Sequence, residues 1–228
     1  MNNSIIENLE KAAAILANIP ERFVFTGGAT VILYAREDVY NEIRPTEDVD
    51  CVVEITTRSE YYQLADKLRQ GGLSECARLN SPLCRWLYEE LVIDIMPCEE
   101  QILGFSNRWY PDGIKNSLER ALPSQQKIEI FSPIYLLATK IEAHIGRGKS
   151  FRFSRDVQDI IVLLDGCTTL EQDYYLAQPK LGQYINQWFA TNLDDLIEAT
   201  YISCPSRDID REDLIIELIE RIASRTFM

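Results

Sequence analysis

The run Asp48-Val49-Asp50-Cys51-Val52-Val53-Glu54-Ile55 limits what this chain can fold into more than any other stretch. Its β-branched residues favour an extended, half-buried strand. Side chains alternate along a strand, so Val49 and Cys51 point into a core while Asp48 and Asp50 share the opposite face. Two carboxylates this close repel each other. A divalent cation removes that cost. Magnesium prefers hard oxygen ligands and binds through one or two carboxylates plus substrate phosphates. Taken alone, the same Asp-x-Asp pair also suits a solvated strand end.

Two further features bear on the pair. Asp94 lies inside Leu91-Val92-Ile93-Asp94-Ile95-Met96, where a charge is costly on a buried face. A metal site shared with Asp48 and Asp50 supplies a reason for it. Upstream, Gly27-Gly28 follows the short strand Phe23-Val24-Phe25 and precedes an apolar helical stretch, residues 29–35. Glycine permits positive φ and close approach of a ligand to the backbone, and a helix start offers free N–H groups to a phosphate. An ordinary tight turn has the same spelling. Neither Gly-x-Gly-x-x-Gly nor a Walker-type Gly-Lys-Ser/Thr is present.

The rest of the chain reads as an α/β half followed by a helical half. Residues 4–18 have apolar residues at helical spacing, capped by Ser4 and ended by Pro20. Residues 59–70 form a helix stopped by Gly71-Gly72, and residues 84–88 and 91–96 form a hairpin turning at Glu89-Glu90. Residues 123–127 read as a linker. A helix then starts at Ser132-Pro133, a second covers 155–164, and residues 170–228 hold three helical patterns, the last over 211–224. The expected fold class is α+β: a small mixed sheet with flanking helices over residues 1–125, then a helical domain over 126–228.

Charge and composition exclude several classes. Hydrophobic residues make up 46% of the 228, enough for a substantial core. A net charge of −13 repels nucleic-acid phosphate over most of the surface, so any such contact needs a local basic group or bound cations. The basic group that stands out is Arg147, Lys149, Arg152 and Arg155, which follows Gly146 and Gly148. It either grips a phosphate chain or simply balances an acidic protein. Six cysteines without a Cys-x-x-Cys pair, and a single histidine, His144, argue against structural zinc. Reduced thiols, no signal-like start and no bilayer-length apolar run point to a cytoplasmic chain with no membrane partner. No Asp…Glu-x-Lys arrangement surrounds Asp94, which argues against a metal-dependent nuclease.

Together, Phe25-Thr26-Gly27-Gly28, Asp48-Val49-Asp50 and Asp94 resemble the signature of the DNA polymerase β-type nucleotidyltransferase superfamily. The string Arg44-Pro45-Thr46-Glu47-Asp48-Val49-Asp50 is similar to that of the AbiEii/AbiGii toxins, including the MenT-like members of toxin–antitoxin pairs. Lys140 and Asp156 match a lysine and an aspartate on successive helices of that group. The resemblance spans residues 20–165; the loop from Gly28 to Asp48 is longer than in many members.

The resemblance implies an enzyme that moves a nucleoside monophosphate from an NTP, ATP among them, to an acceptor hydroxyl. Asp48, Asp50 and Asp94 would ligate two magnesium ions and, with Lys140, form the catalytic set. Gly27, Gly28, Arg44, Thr46, Lys140 and Asp156 would hold the nucleotide. In the toxin reading, Arg147, Lys149, Arg152 and Arg155 would grip a tRNA acceptor end, and a cognate antitoxin would be a partner. An antibiotic nucleotidyltransferase for aminoglycosides or lincosamides shares the core, and the overall acidity suits a cationic drug. A non-catalytic interaction or antitoxin-type member is a third reading, against which the intact acids speak.

Overall fold

A computed structural model describes residues 2–79, 81–203 and 209–227. The chain divides into two compact units, residues 1–30 with 45–132 and residues 31–44 with 133–228. The architecture is mixed α/β: a seven-stranded sheet and, towards the C-terminus, a run of helices.

The first unit opens with helix α1 (Asn2–Leu16), whose Ile5, Leu9, Ala12, Ala13 and Leu16 are all buried at helical spacing. Strand β1 (Phe23–Thr26) runs directly into a single helical turn, α2 (Gly27–Thr30). Strand β2 (Asp48–Val53) follows, with α1 and α2 packed against it. Helix α3 (Arg58–Gln70) starts in a capping box, in which the Glu60 amide donates to the Thr57 hydroxyl and the Thr57 amide donates to the Glu60 carboxylate. It stops at Gly71, and Gly72 takes φ +88°.

The remaining strands are β3 (Ser74–Glu75), β4 (Arg85–Tyr88), β5 (Leu91–Pro97), β6 (Ser117–Ala121) and β7 (Lys127–Phe131). The short helices α4 (Glu100–Leu103) and α5 (Tyr110–Lys115) lie between β5 and β6. The sheet order is β3-β4-β5-β2-β1-β7-β6. Strand β2 is central, antiparallel to β1 and parallel to β5. Strand β1 pairs in parallel with β7. The expected linker at 123–127 is instead the turn of the β6–β7 hairpin, closed by Leu122 and Gln126 with Gln125 at φ 68°.

The second unit is helical: α6 (Pro133–Arg147), α7 (Arg155–Gly166), α8 (Leu170–Leu176), α9 (Pro179–Thr191), α10 (Leu193–Ser203) and α11 (Ile209–Ser224). Residues 170–228 thus hold four described helices where three patterns were expected; the Asn192 break separates α9 from α10. Helix α6 is buried over most of its circumference and packs on α7, α8 and α9. No helix among the described residues is long and apolar enough to cross a membrane.

Candidate active site

Strand β2 alternates as its sequence demands. Val49 and Cys51 are wholly buried, while Asp48 and Asp50 are half-buried on the other face. The register then assembles a transverse row. Thr26 on β1 is the partner of Asp50, Asp50 is the partner of Asp94 on β5, and Asp94 is the partner of Arg85 on β4. Residues directly opposite across strands share a face. Four neighbouring strands therefore present Thr26, Asp50, Asp94 and Arg85 side by side, with Asp48 two residues from Asp50 on the same face. Asp94 is 7% exposed, which meets the expectation that a charge in that strand has to be accounted for.

Arg85 was not foreseen. Its Nε donates to Asp94 Oδ1 at 2.8 Å and its Nη2 to Asp94 Oδ2 at 2.7 Å, a two-pronged pair. The same Nη2 donates to Asp48 Oδ2 at 3.1 Å. The other oxygen of Asp48 accepts from the Thr46 hydroxyl at 2.8 Å, so Thr46 positions this acid. The hydrogen bonds to Asp94, followed by its charge and that of Asp48, hold the Arg85 guanidinium protonated even more firmly than usual. A signal for Arg85 existed in the sequence. The Glu89-Glu90 turn makes Tyr88 and Leu91 opposite residues, and counting back three positions on each strand puts Arg85 opposite Asp94.

Gly27 fits against this row in a way no other residue can. It has φ +78°, and a Cβ placed on it would stand 1.9 Å from Asp50 Oδ2. The turn is held by the Thr30 hydroxyl donating to the Gly27 carbonyl at 3.0 Å. Gly28 follows, buried at the start of α2. Beside Asp50, the Thr26 hydroxyl is buried without a hydrogen-bond partner among the described residues. Two thiols lie close to the acids. Burial, then Asp50 and Asp94, push Cys51 well up; burial, then Asp94 and Asp50, push Cys84 up to about 12. Both stay neutral at ordinary pH, so the ionisable ligand chemistry here is carboxylate.

Asp48 and Asp94 already meet a cation in Arg85. One positively charged nitrogen, Arg85 Nη2, already receives oxygens from both Asp48 and Asp94, so the two carboxylates converge on a single cationic point. Among the described residues, no three His, Cys, Asp or Glu side chains stand in a ready-made metal-binding arrangement. Asp48 and Asp94 are held on Arg85 instead.

The remaining sequence candidates are gathered in the second unit. Lys140 on α6 and Asp156 and Asp159 on α7 are all buried. Lys140 Nζ donates to Asp159 Oδ2 at 2.5 Å and lies 3.8 Å from Asp156 Oδ1. Arg44 grips both oxygens of Asp159 at 3.1 Å, and Arg147 pairs with Asp156. Lys149, Arg152 and Arg155 are exposed, and Arg152 stacks over Phe153, itself 72% exposed. His144 is a packing residue: its Nδ1 meets the Ser154 hydroxyl at 2.8 Å and its ring touches Phe151 and Trp188.

At the level of sequence, no family model and no curated protein matches the chain. Solved structures do. The solution structure of the antibiotic-resistance factor ANT(2'')-Ia shares 12% identity, 97% coverage of this chain and 94% of its own, and a TM-score of 0.43. An antigenic nucleotidyltransferase-like protein from Paracoccidioides brasiliensis is 18% identical over 93% of this chain and 92% of its own, with a TM-score of 0.52. The chain therefore has the fold of nucleotidyltransferase-like proteins.

Proposed function

We propose that this chain is a magnesium-dependent nucleotidyltransferase that moves a nucleoside monophosphate from an NTP to a hydroxyl at an RNA end, in the manner of the AbiEii and MenT-like toxins. The observation that carries the reading is the row Thr26, Asp50, Asp94 and Arg85 with Asp48 beside it, set against the Gly27 turn. Three acids on one sheet face are costly for stability alone.

Asp48 and Asp50 would hold magnesium, and Asp94 would complete the set. Bound there, magnesium supplies charge neutralisation for the acids and for the triphosphate. The acceptor oxygen bonds to the α-phosphorus, the bond from that phosphorus to the β-bridging oxygen breaks, and pyrophosphate leaves. Asp94 would take the hydroxyl proton. Backbone amides at Gly27 and Gly28 would neutralise the phosphates. Thr46 fixes the Asp48 carboxylate through its 2.8 Å bond. The exposed Lys149, Arg152 and Arg155 are the basic residues offered to an RNA end.

The test incubates the purified protein with each labelled NTP and total tRNA, with and without magnesium. Magnesium-dependent label on tRNA supports the reading. Absence of transfer, together with absence of NTP binding in calorimetry, overturns it. Label on an aminoglycoside or lincosamide but not on tRNA selects a small cationic acceptor, which the net charge of −13 would favour.

A further inference from the structure

If Asp48, Asp50 and Asp94 take a metal, as the proposed function has it, Asp48 and Asp94 need another counter-charge while the metal is absent. Here Asp94 and Asp48 are both bound to one guanidinium, and Arg85 comes from the strand next to Asp94, outside the acid-bearing strands. Asp94 has a donor on each oxygen, and so does Asp48, through Arg85 and Thr46. A hard cation needs those same oxygen lone pairs. The Arg85 side chain keeps 28% of its surface exposed, against 10% for Asp94, so Arg85 is the more open of the two.

Resting on the nucleotidyltransferase reading, we propose that Arg85 is a built-in counter-cation. It holds Asp48 and Asp94 together while no divalent ion is bound, and it has to leave them for one to load. Arg85 is thus a positioning residue that sets the affinity of the acid cluster for its metal. A cation on those same oxygens would also be repelled by the Arg85 charge, which adds to the competition. The exchange preserves charge balance, because the acids pass from one cation to another. It also keeps the acids paired throughout, which spares the sheet an exposed row of like charges.

The experiment is a calorimetric titration of the full chain with Mn2+, in wild type, Arg85→Gln and Arg85→Lys. Competition predicts that Arg85→Gln binds Mn2+ about tenfold more tightly or better. Arg85→Lys, which keeps the charge but loses the fork, falls between the two. In parallel, thermal melting without metal should place Arg85→Gln below wild type, and Mn2+ should raise the variant's midpoint by more. Equal or weaker Mn2+ binding by Arg85→Gln overturns the counter-cation role while leaving the transferase reading standing. No Mn2+ binding by any of the three, with no NTP binding by wild type, overturns the metal site itself and the inference with it. If Arg85→Gln does not fold, the Arg85→Lys titration decides, since an unchanged affinity there contradicts competition through the two-pronged contact.

Discussion

The two charge clusters of this molecule are built on opposite principles. In the first unit, Asp48, Asp50 and Asp94 share a sheet face, and one arginine, Arg85, binds both Asp48 and Asp94. In the second, Asp156 and Asp159 are met by Lys140, Arg44 and Arg147, so each acid has its cation. The second cluster lies on helices α6 and α7 with Lys140, Asp156 and Asp159 buried, and it resembles the neighbouring network of Arg211 with Glu42 and Asp165. Satisfied networks of this kind hold a fold together, and breaking them is costly. The difference teaches that charged residues flagged alike in a sequence are told apart only by the partners the fold gives them.

The comparison can be broken most directly at Asp50. Asp50→Asn should reduce nucleotide transfer about a thousandfold, with the protein still folded, because it removes one proposed ligand carboxylate and little volume. A labelled-NTP assay beside a melting curve checks both halves. Asp159→Asn should do the reverse. Leaving Lys140 and Arg44 without their carboxylate should cost about 3–5 kcal/mol of stability, read from denaturant unfolding. An Asp159→Asn protein as stable as wild type would erase the distinction between the clusters.

Gly27→Ala sharpens the contrast from the backbone side. A methyl group there meets Asp50 Oδ2 at 1.9 Å and has to sit at φ +78°. A loss of about 2 kcal/mol or more is expected, with impaired transfer, measured in the same two assays. The smallest effect concerns His144. Burial lowers its pKa below the ordinary value, against opposing pulls from Asp156 and Asp195. Below about pH 6.5 the unfolded chain takes up a proton that the folded chain resists. Stability should therefore be full above that pH and fall as pH drops towards the folded pKa. The fall should be shallower in His144→Asn, as pH-dependent melting would show.

Much of this organisation was legible in the sequence, and the gaps have physical causes. Strand β2 announced itself through its β-branched run, and its alternation gave the face of Asp48 and Asp50. Asp94 stood out because a charge in an apolar strand needs a partner. Strand β7 carries a two-residue period, with Ile128 and Ile130 buried, yet its five residues are too few to stand out beside a proline-led turn. Strand β6 has no buried alternation to reveal it, since Leu118 to Ala121 are all exposed. Arg85 escaped because an arginine in a strand is unremarkable until the hairpin register sets it opposite an acid. Lys140 and Asp156 could be placed on helices, but only their partners show that both are engaged in ion pairs.

The central claim is that Asp48, Asp50 and Asp94 form a cation-dependent nucleotide site. Calorimetric titration with an NTP, with and without magnesium, on wild type and Asp48→Ala tests it most directly. The account predicts binding by wild type only when magnesium is present, and none by Asp48→Ala. NTP binding that is equally strong without magnesium, or that survives in Asp48→Ala, would contradict it.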